Sequence, residues 1–338
     1  MVDIAPRLRR PTIRDVAVEA GVSRGTVSRV INGGHWVSPD ARVAVEAAIR
    51  RTGYTTNHHA RSLATGRSDS IAFLLTESQH LLFSDPTFAL LLRGATQALA
   101  DRDMTLVLLV ADTEAAQANI EHYVRAGHVD GVLLISSHES NTLLTSLVEA
   151  GVPTVCSGVP LGDHAFVPTV SVGEAESARV MTRHLIDQGH RRIAVITGPD
   201  DTPGGRYRLQ GFRDEMGDLF DPTLVEQGPY DSDAGFAGMT RLIERAPDID
   251  AVFAASDVIA VGAIAALRKL GRSVPGDVAV AGFDDSGLAA THDPPLTTMR
   301  QPWEQISTQM VEMLLDVING RSRDALVLPT TLVVRDSA

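Results

Sequence analysis

One cysteine and one lysine occur in 338 residues, and both scarcities exclude chemistry. With Cys156 alone, no internal disulfide and no multi-cysteine metal site can form, which fits a reducing cytoplasm. Lys269 has no glycine-rich loop before it, so a phosphate-binding P-loop is absent. Neither a Gly-x-Gly-x-x-Gly fingerprint nor a His-Glu-x-x-His zinc motif occurs, and the adjacent His58 and His59 have no partner cluster. Apolar runs such as residues 71–75 and 131–135 fall far short of the ~20 needed to span a bilayer. The first eleven residues are polar and arginine-rich, unlike a secretory leader. These absences predict a cytoplasmic protein with no membrane segment, no metal and no cofactor.

An enzyme is not expected either. Gly21-Val22-Ser23-Arg24-Gly25 has the form of a nucleophile elbow, but such an elbow must follow a strand, and this stretch joins two helical patterns. No paired carboxylates at a useful separation can be read along the chain. Apolar content of 44% and charged content of 21% are those of an ordinary soluble protein, and the length suits two or three domains.

Charge is unevenly spread. Residues 1–68 hold eleven arginines against five acidic groups, +6, while the rest of the chain is −18, within a total of −12. A small basic head suited to phosphates and an acidic body follow from this asymmetry.

The head reads as three short helices. Thr12 is a candidate N-cap with Asp15 three residues on, and Ile13, Val16, Ala17 and Ala20 recur at helical spacing until Gly21. Ser23 caps a second helix, residues 24–32, with Val27, Val30 and Ile31 as its buried stripe. Ser38-Pro39 opens a third, which ends at Gly53. A tight glycine turn between the first two predicts a helix-turn-helix. The second helix would then present Ser23, Arg24, Gly25, Thr26, Ser28 and Arg29 to the major groove. Arg24 suits guanine, Gly25 allows close backbone approach, and Thr26, Ser28 and Thr12 suit phosphates.

Thr12-Ile13-Arg14-Asp15-Val16-Ala17, Ala20-Gly21-Val22-Ser23 and residues 26–32 closely resemble the head of the lactose-repressor (LacI/GalR) family. The match continues through Val37-Ser38-Pro39, Gly53-Tyr54, Asn57 and Ala60-Arg61-Ser62-Leu63. The resemblance implies a homodimer on palindromic operator DNA. It also implies a hinge segment that enters the minor groove, with Asn57 and Arg61 as contacts and Leu63 as the wedge between base pairs.

From residue 70 short apolar runs alternate with helical patterns. Strands are expected at 71–75, 105–110, 131–135, 154–156, 193–196, 251–254 and 278–282, and helices at 88–100, 174–188, 206–216 and 257–270. Such alternation predicts an α/β body of doubly wound parallel sheets, with ligands at the carboxyl ends of the strands.

The body also resembles that family, through Gln188-Gly189-His190, Arg208-Leu209-Gln210-Gly211-Phe212, residues 280–285 and 294–298. The implied fold is two subdomains of periplasmic-binding-protein type, crossed three times by the chain near residues 168, 299 and 328. The expected division is a head at 1–56, a hinge and linker at 57–68, and an effector-binding and dimerisation domain at 69–338. Within that domain the first subdomain takes 69–168 and 300–327, and the second 169–299 and 328–338.

The resemblance implies effector contacts at Arg208, Asp284, Asp257 and Gln301, with Tyr230 and Phe88 as aromatic covers. Asp257 also suits a helix N-cap, and Phe88 also suits the core beside Leu91 and Leu92. The implied function is a repressor controlled by a small molecule, a mono- or disaccharide, with a nucleobase or other metabolite as the alternative. A sugar-binding receptor or sugar-modifying enzyme would leave the basic head unexplained. The sequence departs from the family around the cleft, at Gly158, at Val172-Gly173 and in the long stretch from Ser78 to Pro86. The end at Ala338, without a leucine-heptad tail, predicts a dimer rather than a tetramer.

Overall fold

Hydroxyl caps and glycine stops divide the first unit, residues 1–68, into short helices. The computed structural model describes residues 11–31, 36–54, 66–139, 142–162 and 167–338. Asp15 Oδ2 accepts from both the backbone N–H and the hydroxyl of Thr12 at 2.7 Å, which starts α1 (Ile13–Ala20). Gly21, at φ 66°, ends it in the left-handed region that a side chain disfavours. The Ser23 hydroxyl accepts from Thr26 N–H at 3.1 Å and opens α2 (Arg24–Ile31). Ser38 does the same for Ala41 at 3.3 Å and opens α3 (Pro39–Thr52). Val16, Ala17, Val27, Val30, Val45 and Ala48 bury together between the three helices. Asn57, Arg61 and Leu63 lie outside the described residues.

The second unit, residues 69–338, alternates strand and helix. Its first half runs β1 (Ser70–Leu75), α4 (Gln79–Ser84), α5 (Pro86–Ala100), β2 (Thr105–Val110), α6 (Glu114–Arg125), β3 (Gly131–Ile135), α7 (Leu143–Glu149), β4 (Thr154–Ser157) and β5 (Thr169–Val172). It continues with α8 (Glu174–Asp187), β6 (Ile193–Thr197), α9 (Pro203–Met216), β7 (Val225–Gln227), α10 (Ser232–Arg245), β8 (Ala251–Ala254), α11 (Asp257–Lys269) and β9 (Ala279–Asp284). The last elements are α12 (Leu288–Thr291), β10 (Thr297–Arg300), α13 (Trp303–Ile318), β11 (Leu326–Leu328) and β12 (Thr331–Val333). Among the described residues no helix is long and apolar enough to cross a membrane.

Among the described residues two six-stranded sheets result, in the orders β11-β5-β4-β3-β1-β2 and β12-β10-β9-β8-β6-β7. Every pairing is parallel except β10 with β12. Each sheet is covered on both faces, so its central strands are apolar throughout. On β1, Ile71, Phe73 and Leu75 enter one core while Ala72 and Leu74 enter the other. On β6, Ala194 and Ile196 face one core and Ile193 and Val195 the opposite one.

The three crossings fall slightly later than the sequence predicts. Thr169–Val172 pairs with β4 and β11, so the chain leaves the first sheet after residue 172 rather than near 168. Arg300 still pairs with Asp284 in the second sheet, and Leu328 with Val172 in the first. Backbone hydrogen bonding keeps each short strand with its sheet to the last residue. This moves each expected subdomain boundary by one to four residues.

Helix α10 lies against α11 through glycines, where backbones approach too closely for a side chain. A Cβ on Gly262 would sit 2.0 Å from the Ser232 carbonyl oxygen, and one on Gly235 2.1 Å from that of Ile259. Gly262→Ala is therefore expected to push the pair apart, at a cost of ~1–3 kcal/mol. In a domain of this size that lowers the melting midpoint by roughly 2–4 °C per kcal/mol. An unchanged midpoint in thermal unfolding would show that the pair is not held this closely.

Candidate functional site

The carboxyl ends of the two sheets line a partly open cavity of about 150 Å³. Open α/β sheets bind ligands at such ends, where the strand order reverses. In the first sheet the ends of β1 and β3 supply Glu77, Ser136 and Ser137. In the second, Arg208 and Gly204 come from α9, and Asp284 from the last residue of β9. This is below the ~300–1,000 Å³ usual for ligand pockets.

Arg208 is the charged centre of this wall, and it is only 6% exposed. Its Nε donates to Glu174 Oε2 at 2.6 Å, its Nη2 to Glu174 Oε1 at 3.3 Å, and its Nη1 to the Ala255 carbonyl at 2.5 Å. Asp284 Oδ1 lies 3.6 Å from Nη1, and the guanidinium covers the Phe283 ring at 3.7 Å. Burial works against its charge, but Glu174 and Asp284 more than offset this and hold its pKa above the ordinary arginine value. Arg208 is therefore a permanent cation that is already neutralised.

Asp284 also accepts from Gln301 Nε2 at 2.8 Å, and its carbonyl accepts from Trp303 Nε1 at 2.9 Å. Burial raises its pKa, and Asp257 and Asp85 add to the rise against the pull of Arg208. Its backbone φ is 111° and that of Asp285 is 50°, uncommon values for residues with side chains. Asp285 is held there by Arg300 at 2.6 Å and Arg335 at 2.7 Å.

Of the expected effector residues, Phe88, Arg208, Tyr230, Asp284 and Gln301 meet at this cavity, and Asp257 does not. Asp257 is fully buried at the first turn of α11, where it accepts from Ser286 N–H at 2.9 Å and Thr298 Oγ1 at 2.6 Å. It is not the N-cap either: Ser256 caps the helix by accepting from Ile259 N–H, and Asp257 is the first residue behind that cap. Phe88 joins the apolar core and the cavity wall at once. The Tyr230 ring occupies the room left by missing side chains, since a Cβ on Gly198 would lie 2.1 Å from its Cζ. Burial pushes its phenol up to about 12, so it stays neutral.

Sequence reasoning missed Glu77, Asp85, Ser171, Glu174 and Trp303, all of which line the cavity. Glu174 follows β5 by two residues, so the strand-end rule was the signal, but β5 itself went unread. Asp85 caps α5 by accepting from Thr87 N–H at 2.9 Å, and burial raises its pKa. The Ser171 hydroxyl is buried and has no hydrogen-bond partner. The long stretch after Ser78 forms α4, whose Leu81 reaches the cavity. Hydroxyls and committed carboxylates make this a binding site rather than a reactive one. Among the described residues no cluster of three His, Cys, Asp or Glu could hold a metal.

In the head, burial of Val27 and Val30 leaves Ser23, Arg24, Gly25 and Arg29 exposed and Thr26 and Ser28 half-buried. Ser23 and Thr26 also bond to each other at 2.9 Å, and Arg29 Nε donates to the Gly25 carbonyl at 3.2 Å. Thr12 is engaged by Asp15, so its hydroxyl already has an acceptor.

Two family models match the chain. One describes bacterial regulatory proteins of the lacI family and matches residues 12–57. The other describes a periplasmic binding protein-like domain and matches residues 182–338. The transcriptional regulator CelR of Thermobifida fusca is 45% identical over 98% of this chain and 99% of its own. The ribose operon repressor of Escherichia coli K12 is 35% identical over 97% of this chain and 99% of its own. Among solved structures, a complex of CelR with cellobiose is 43% identical at a TM-score of 0.78, over 97% of this chain and all of that one. The lac repressor dimer bound to operator and an anti-inducer is 26% identical at 0.87, over 97% and 99%.

Asp257→Ala is expected to strand the Ser286 N–H and the Thr298 hydroxyl, at ~1–3 kcal/mol. Urea denaturation followed by circular dichroism should show the midpoint fall; an unshifted midpoint would remove its structural role.

Proposed function

The chain belongs to the lacI family of bacterial regulatory proteins, and on that premise we propose that it is an operator-binding repressor whose effector is a neutral disaccharide. It is a DNA-binding transcriptional regulator with a small-molecule effector, and not an enzyme. Two copies place their heads on the halves of a palindromic operator, and protein two-fold symmetry mirrors that of the DNA. Arg24 reads guanine, Gly25 allows close approach, and Ser23, Thr26, Ser28 and Arg29 engage phosphates, while Thr12, whose donors go to Asp15, sets the start of α1 beside them. Asn57, Arg61 and Leu63 serve as minor-groove contacts, with Leu63 as the wedge.

The single observation behind the effector class is the charge state of the cavity. Arg208 is already matched by Glu174 and Asp284, while Glu77 and Asp85 add further acidic groups. Among the described residues an anionic ligand such as a phosphosugar finds no uncommitted cation there. A neutral polyhydroxylated ligand finds carboxylate acceptors, serine hydroxyls and the apolar faces of Phe88, Tyr230 and Trp303. Likeness to CelR, solved with cellobiose, supports a disaccharide within that class.

Fluorescence anisotropy on palindromes from the neighbouring promoter, titrated with cellobiose and other sugars, tests this reading. Tight binding released by a disaccharide is expected. Release by a nucleobase alone would replace the effector class, and failure to bind any palindrome at moderate salt would overturn the regulator. Asp284→Ala should abolish the sugar response and leave operator affinity intact; a normal response would end its role. Arg24→Ala should cost ~1–3 kcal/mol and relax specificity at one base pair. Leu63→Ala should weaken operator binding and spare sugar binding, and unchanged operator affinity would sink the wedge assignment.

A further inference from the structure

Beside the cavity a histidine joins the two subdomains. His138 follows β3 in the first subdomain, and its Nε2 lies 3.0 Å from Glu77 Oε1, after β1. Its Nδ1 lies 2.9 Å from Asp201 Oδ2, on the loop between β6 and α9 of the second subdomain. The next residue makes the same crossing. Glu139 N–H donates to the Asp201 carbonyl at 2.8 Å, and Arg206 Nη2 donates to Glu139 Oε2 at 2.6 Å. Glu77 itself lines the cavity and accepts from the Ser136 hydroxyl at 2.5 Å.

A neutral imidazole has one N–H donor, so it cannot donate to two carboxylates at once; the imidazolium can. The Glu77 and His138 side chains are only 13% and 23% exposed, so their attraction is less screened than that of the half-exposed Arg206–Glu139 pair. We propose that His138 is a positioning residue for the effector response: as a cation it holds Glu77 in the cavity wall and clasps the first subdomain to the second through Asp201. The effector reading above supplies the consequence, a site completed by closure, while the clasp rests on its own geometry.

The charges around His138 agree in sign. Glu77 and Asp201 face its two nitrogens, and Glu114 and Glu121 of α6 line the surface hollow on its other side. Asp200 lies beyond, next to Arg206, which is taken up by Glu139. The hydrogen bond to Glu77 outweighs burial, and with Asp201 it pushes the histidine up from 6.5 to about 9. The sign follows. A raised folded pKa stabilises the clasped form fully below the ordinary value, and that stabilisation is lost as pH rises through about 9. Glu77 shares the first subdomain with His138 and Asp201 belongs to the second, so an opening that removes Asp201 alone would concentrate the loss near the upper end of that window.

The test needs no effector. Cysteines replacing the exposed Asn119 on α6 and Asp233 on α10 carry spin labels, while the buried Cys156 stays unlabelled. Pulsed electron-electron resonance then reports the closed and open separations in the ligand-free full-length protein. The closed fraction is expected to fall between pH 7 and pH 10. Asp201→Asn and His138→Gln should lower it at pH 7 and flatten the pH profile, with a change of about tenfold in the closed-to-open ratio for each pKa unit involved. A distance distribution that is the same at both pH values and in Asp201→Asn would overturn the clasp. Titration with cellobiose separates the two readings. Weaker binding by Asp201→Asn than by the parent supports the clasp, equal binding by both counts against it, and no binding by either refutes only the effector assignment.

Discussion

A buried guanidinium is the constraint around which the body's site is arranged. Removing an arginine's charge from water costs several kcal/mol unless partners surround it. Arg208 obtains them from four directions: the carboxylate that opens α8, the Asp284 side chain at the end of β9, the carbonyl that follows β8, and the Phe283 ring. Those groups sit at strand ends and a helix start, so satisfying one side chain fixes the rim of the second sheet. Asp284 is then held by Arg208, Gln301 and Trp303 in a backbone conformation that an aspartate rarely adopts. Such ion pairs contribute more to geometry than to stability, and geometry is what a selective cavity needs.

The same logic explains what was legible in the sequence. Caps and glycine stops are local chemistry, so Thr12 with Asp15, Ser23, Ser38 and Gly53 mark the head helices within a residue. The central strands are legible because both faces of each sheet are covered, which makes β1, β3, β6 and β8 continuous apolar runs. β5 and β10 break that pattern. They read Thr-Val-Ser-Val and Thr-Thr-Met-Arg, and their hydroxyls are buried, those of β10 with tertiary rather than local partners. Thr297 Oγ1, for example, donates to the Ala338 carbonyl and Thr298 Oγ1 to Asp257, more than forty residues away in sequence. Helix α13 carries an apolar stripe at helical spacing, through Ile306, Met310, Val311 and Leu314, but the stripe does not name its partner, α5, some two hundred residues earlier. A Cβ on Gly94 would lie 2.7 Å from Ser307 Cβ there, a closeness that no local pattern announces.

Asp257 and Glu174 show the limit most clearly for the site. Both are acidic residues in the first turn of a helix that follows a strand. One points inward to a backbone N–H and a threonine and never reaches the cavity. The other pairs with Arg208 and lines it. Sequence position fixes the favourable interaction of each carboxylate with its helix N-terminus, but the strand that sets its direction is decided by the sheet.

A ligand can shift a two-state protein only by binding one state better than the other. Here that difference has a structural source, because the wall is divided between the subdomains. Glu77, Asp85 and Ser171 belong to the first, and Arg208, Tyr230 and Asp284 to the second. An open cleft presents a ligand with one set, and a closed cleft presents both. Coupling of ~1–3 kcal/mol between effector and operator therefore asks for only one or two hydrogen bonds made in the closed form alone. A cavity whose charges are already matched suits this role, because the hydrogen bonds that form on closure join neutral or singly charged groups and carry little desolvation cost. The acidic body and the arginine-rich head then divide the work by chemistry: hydroxyl recognition in one unit, phosphate recognition in the other.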